Sequence, residues 1–93
     1  MKIAVAATGR NVSEHFEPCE SFLICDSDGK KAESVLNPGH KLGFLPNFLA
    51  DLGINALIAG GIGSSAILIF NSRGIEVVTG TQGNVRKAAQ AYC

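Results

Sequence analysis

His15 and Cys19 stand with three residues between them in a polar stretch, and His40 follows Pro38 and Gly39. Imidazole and thiolate are both good ligands for iron and for other soft or borderline metals. A bare His-x-x-x-Cys is more often a capping histidine near a buried cysteine than a metal site. A lone histidine ahead of a helix is more often plain surface. The ligand count narrows the chemistry further. A structural zinc site normally takes four protein ligands, and a permanent iron–sulfur cluster usually takes four thiolates. With 3 cysteines and 2 histidines in no such pattern, neither is expected. A metal held by His15, Cys19 and His40 would have to arrive with most of its coordination already filled.

A second constellation is Gly60-Gly61-Ile62-Gly63-Ser64-Ser65, with an apolar run before it and a helical pattern after it. Backbone N–H groups at such a helix start can hold an anion. The dinucleotide fingerprint is not met, because Ala66 stands where its third glycine would fall counting from Gly61. No acidic ribose-binding residue follows at the required distance, and no Walker lysine is present. Gly60, Gly61, Gly63 and Ser64 therefore read as a generic anion cradle, with Arg10 and Lys41 as its cationic neighbours. Glu14, Glu17 and Glu20 cluster in one loop and read as solvated charges, since no carboxylate interrupts the strands where acid–base chemistry would be built. Ser13 lies near His15 but has no nucleophile elbow and no acid to orient the histidine. No catalytic role is expected.

The elements that must position these residues can be read from the apolar pattern. Residues 3–7, 21–25, 31–36, 55–59 and 75–79 read as five strands. Asp26-Ser27-Asp28-Gly29 reads as a turn. Leu45, Phe48, Leu49 and Leu52 recur at helical spacing, with Pro46 in the first turn and Gly53 just past the end. Ser64–Ser72 reads as a second helix ended by Gly74. Asn84 caps a third, in which Val85, Ala88, Ala89 and Tyr92 share a face. The order β-β-β-α-β-α-β-α predicts an α/β, ribonuclease H-like three-layer fold. Its five-stranded mixed sheet has strand order 3-2-1-4-5, with strand 2 antiparallel to the rest. The order reverses beside strand 1, and open α/β sheets bind ligands at the carboxyl ends of strands at such a switch. Arg10–His15, Cys19, His40 and Gly60–Gly63 all fall at that end, in one expected crevice. Cys25 and Cys93 fall at the other.

Composition bounds the reading. The chain has 93 residues, 46% hydrophobic and 17% charged, which suits one domain over residues 1–93. Eight basic and eight acidic residues cancel, so the basic excess of a nucleic-acid coat is missing. Unpaired thiols point to a reducing interior, the cytoplasm. The near-apolar stretch from Ile54 to Phe70 is broken by glycines and serines and cannot span a membrane. The run Ile3–Ala7 is too short for a signal-peptide core and reads as a strand.

The motifs together resemble a known family. Met1-Lys-Ile-Ala-Val-Ala6, Val12-Ser-Glu-His-Phe16 and Cys19-Glu-Ser-Phe22 are similar to the opening of the dinitrogenase iron–molybdenum cofactor biosynthesis family, of the NifX, NafY and NifB C-terminal domain types. His40-Lys-Leu-Gly43, Leu45-Pro46, Leu52-Gly53 and Ile58-Ala-Gly-Gly-Ile-Gly63 extend the likeness over nearly the whole chain. The resemblance implies a ribonuclease H-like fold and a role in binding or carrying iron–sulfur or iron–molybdenum cofactor precursors. It matches the family's S-x-H-F histidine to His15, a loop position to Cys19, and the histidine ahead of the G-x-x-P segment to His40. It also implies cluster donor and acceptor proteins as partners, a P-loop cluster-assembly ATPase among them, for a monomer or weak dimer. Two departures stand out. Glu17 stands in place of the usual glycine after His-Phe, with Pro18 following it, and the chain stops at Cys93 within the last helix, where relatives often continue. The alternative reading is a metal-free regulatory or interaction module of the same fold. A small anion- or nucleotide-binding enzyme is a weaker third.

Overall fold

The computed structural model describes residues 1–26, 32–39 and 44–92. The turn over residues 27–29, His40, Lys41 and Cys93 lie outside the described residues. The chain runs β1 (Lys2–Thr8), β2 (Asn11–Val12), β3 (Ser21–Asp26), β4 (Ala32–Leu36), α1 (Phe44–Asp51), β5 (Ala56–Ile58), α2 (Ser64–Ser72), β6 (Glu76–Val78) and α3 (Val85–Tyr92). The sheet order is β4-β3-β1-β5-β6, which is the expected order of the five longer strands. β3 runs antiparallel to both its neighbours, while β5 and β6 run parallel to β1. One element was not expected. The two-residue β2 folds back on β1, pairing Val12 with Ala7 and Asn11 with Thr8.

β1 is central because its interior, Ile3–Ala7, has no polar side chain to place. Ile3 to Ala7 are all buried, and both faces of the strand are covered. Successive side chains point to opposite faces, so the strand feeds two cores. Ala4 and Ala6 join Phe16, Cys19, Phe22, Leu45, Leu49, Leu57 and Phe70 in the layer under α1 and α2. Ile3, Val5 and Ala7 join Val12, Leu23, Ile58, Val85 and Ala89 in the layer under α3. The alanines leave room for three phenylalanines on the first face. There Phe16 meets Phe22 and Phe70 with ring centroids 5.7 Å and 5.6 Å away.

The helices follow their sequence signals. α1 buries Leu45, Pro46 and Leu49, with the proline in the first turn, where its missing N–H costs nothing. α2 buries Ala66 and Phe70. Asn84 caps α3, its Oδ1 accepting from the amides of Arg86 at 2.9 Å and Lys87 at 3.2 Å.

Candidate functional site

The loop after β2 is built around the contrast between Ser13, His15 and Phe16. Ser13 is buried and donates its hydroxyl hydrogen to the carbonyl of His15 at 2.7 Å, which tightens the bend. Phe16 is 1% exposed and anchors the loop in the α1/α2 core. His15, between the bend and the anchor, is left exposed, as are Glu14 and Glu17. Serine and phenylalanine thus fix the backbone, and the imidazole faces solvent.

The Gly60–Gly61 turn after β5 is the other half of the clamp. The Gly60 amide donates to the Ser13 carbonyl and the Phe16 amide donates to the Gly61 carbonyl, both at 2.9 Å. This approach tolerates no side chain. A Cβ at Gly60 would stand 2.8 Å from Ser13 O and 2.9 Å from Glu14 Cα, and one at Gly61 would stand 2.9 Å from Glu14 O. The same Gly61 position is 3.9 Å from His15 Nδ1, so the ring lies beside the glycine turn. Gly60 therefore serves the loop through its own amide. Gly63 is the N-cap of α2, and no side chain caps that helix. Among the described residues, the amides of Gly61, Ile62, Gly63 and Ser64 donate to no protein acceptor.

Cys19 is held differently from His15. It is 3% exposed and packs in the same core as Phe16. Burial pushes its thiol up from 9.0 to about 11, against opposing hydrogen bonds from the Ala7 backbone, the Asn37 side chain and its own backbone. Asn37, just past the end of β4, is a structural anchor. Its Nδ2 donates to Glu17 O at 2.9 Å and Cys19 O at 2.8 Å, closing the loop from the β4 side. Its Asn-Pro-Gly setting was the available signal.

The expected single crevice is divided. A hollow of about 480 Å³ at the carboxyl ends of the strands is lined by Asn11, Val12, Glu14, Gly60 and residues 80–83. Arg10 instead lines a separate hollow with Ser21, Ser34, Asn84 and Arg86. The chain reverses at Gly9, whose φ of 62° is left-handed, and the Arg10 carbonyl then accepts from the Val85 amide at 2.9 Å. Arg10 is thereby tied to the start of α3, while Phe16 and Cys19 pack on the α1/α2 side. Cys25 lies opposite Ile3, at the far end of the sheet as expected. Among the described residues, no group of three or more His, Cys, Asp or Glu side chains could hold a metal ion. The described residues present the exposed His15 imidazole on a fixed backbone, beside amides at the start of a helix. That suits a metal species that brings its other ligands with it.

Known proteins share this architecture. A family model described as dinitrogenase iron-molybdenum cofactor matches residues 1–93. The crystal structure of PH0822 superposes with a TM-score of 0.91 at 39% identity, covering 99% of this chain and 88% of that one. The apo form of the orange protein from Desulfovibrio gigas gives 0.86 at 29% identity, covering 98% and 85%. The solution structure of a Thermotoga protein described as NifB gives 0.81 at 27% identity, also covering 98% and 85%.

Proposed function

The chain belongs to the dinitrogenase iron–molybdenum cofactor family, and from that premise we propose that it is a small carrier of an iron–sulfur or iron–molybdenum cluster precursor, ligated transiently through His15. The observation that supports this most is the exposed imidazole on a backbone clamped by Ser13, Phe16 and the Gly60–Gly61 turn. A carrier needs few ligands, because each added thiolate raises the barrier to release. In this reading the cluster is cargo, and the protein binds it without catalysing a reaction. His15 is the first ligand and His40 the second. Cys19 joins only once the turn over residues 17–19 opens, since its thiol is buried and hard to ionise. The amides of Gly61–Ser64 and the Lys41 ammonium offset the cluster's negative charge, and Glu17 opposes it. Arg10 contributes only to the long-range field. The partners are a cluster donor and a cluster acceptor, with a P-loop assembly ATPase as one candidate.

The test is an anaerobic titration with a soluble thiolate-ligated iron–sulfur cluster, followed by its charge-transfer absorption. His15→Ala weakens binding at least about tenfold, equivalent to about 1.4 kcal/mol. Glu17→Gln tightens it, and more so at low salt, because a like charge is removed. Unchanged binding in the His15→Ala/Cys19→Ala double variant would overturn the ligand assignment. The burial of Cys19 favours one rival, a metal-free docking module in which that thiol is only packing. Failure to take any cluster, with docking to a partner protein retained, decides for the rival.

A further inference from the structure

We propose a second ligand site, for a phosphate-type oxyanion, in the hollow of about 500 Å³ between the β3–β4 half of the sheet and the start of α3. Ser21 and Ser34 line it from the strands, Arg10 from the loop after β1, and Asn84 and Arg86 from α3. No carboxylate is among its lining residues, although the chain carries as many acidic as basic residues. Both arginines are exposed, and among the described residues neither is ion-paired. Two guanidinium groups at one hollow, with no ion-pair partner among the described residues, set up a field for an anion. Their planar forks suit the paired oxygens of a phosphate group.

Ser21 is the independent observation. It is 8% exposed, it lines the hollow, and among the described residues its hydroxyl makes no hydrogen bond. Among the described residues no buried polar side-chain atom lacks a partner, so this unpartnered oxygen is open to the hollow. Two residues on, on the same face of β3, the chain places Leu23, so an apolar side chain would have served packing alone. The serine keeps a hydroxyl at the hollow that can donate to a ligand oxygen. The first-turn amides of α3 do not form the site. Val85 N–H is taken by Arg10 O, and the amides of Arg86 and Lys87 are taken by Asn84 Oδ1. Recognition therefore falls on Arg10, Arg86 and the Ser21 hydroxyl. The volume lies within the ordinary range for small-molecule sites, so it admits a phosphate alone or one carried on a mononucleotide. The hollow lies on the α3 side of the sheet, away from the core that anchors Phe16, and does not depend on the carrier reading.

The experiment titrates nitrogen-labelled protein with inorganic phosphate and, separately, adenosine monophosphate at constant ionic strength, following backbone amide shifts. Saturable shifts at Gly9, Arg10, Ser21 and Arg86 are expected. Arg86→Gln lowers affinity about tenfold and the Arg10→Gln/Arg86→Gln double variant abolishes saturation. Ser21→Ala weakens binding without moving the melting temperature. Tighter binding of the nucleotide assigns the site to a mononucleotide phosphate, and equal binding assigns it to the free oxyanion. Non-saturating shifts that chloride reproduces, or affinity unchanged in Arg86→Gln, would overturn the proposal. Cluster binding measured on the same variants separates this outcome from the fate of the His15 site.

Discussion

At the scale of single residues, Gly60 and Gly61 are required for space. A methyl group at Gly60 meets backbone atoms of Ser13 and Glu14 at 2.8 Å and 2.9 Å, and backbone cannot rotate aside as a side chain could. Gly60→Ala is therefore expected to destabilise the fold by about 1–3 kcal/mol, the usual range for overpacking. It also shifts the Ser13–Phe16 loop, so cluster binding falls with stability. A lowered urea midpoint at constant slope checks the first effect, and an unchanged midpoint would contradict the close approach. Cys19 makes a residue-scale prediction through its proton. Its folded thiol titrates near 11 instead of 9.0, so between those values the unfolded chain loses its proton first. Stability from this group is then full below about pH 9 and declines as pH rises towards 11. At pH 8, Cys19 should react with a thiol reagent far more slowly in the native protein than in urea. Equal rates would mean that the thiol is open to solvent.

At the scale of elements, α3 depends on its cap. Asn84 Oδ1 satisfies two first-turn amides, so Asn84→Ala should cost about 1 kcal/mol. It should also speed amide exchange at Arg86 and Lys87 before it affects β1. Uniform loss of protection along the chain would instead make α3 part of one cooperative unit with the sheet. This cap was legible in the sequence, as were the helix limits and the sheet order, because each rests on a repeated signal: periodicity, a capping residue, or strand–helix alternation. β2 was not legible, since two residues carry no period. The splitting of the crevice was hidden for a related reason. Topology places Arg10 and His15 at the same end of the sheet. Only the reversal at Gly9 and the pairing of Val12 with Ala7 send Arg10 towards α3 and Phe16 to the other face. Cys19 has no neighbours of a type that would announce burial, and its depth follows from Phe16 and Asn37, which pull the loop inward.

At the scale of the whole molecule, the site loop is fastened to both layers. Val12 enters the α3 core and Phe16 enters the α1/α2 core, while the Gly60–Gly61 turn holds the backbone between them. The loop cannot move independently of the sheet, so ligand geometry and global stability share the same contacts, except at the exposed imidazole. This separates two adjacent residues. His15→Ala removes an exposed side chain and should change unfolding free energy by no more than about 0.5 kcal/mol. Phe16→Ala empties a site packed against two other phenylalanines and should cost about 3–5 kcal/mol, a large share of what a domain of this size has. Chemical denaturation of the two variants, each paired with cluster titration under conditions where it remains folded, gives the comparison. His15→Ala should lose binding at native stability, and Phe16→Ala should lose both. A stable Phe16→Ala protein that binds normally would show that the loop holds its shape without the core, and the link drawn between packing and presentation of His15 would fail.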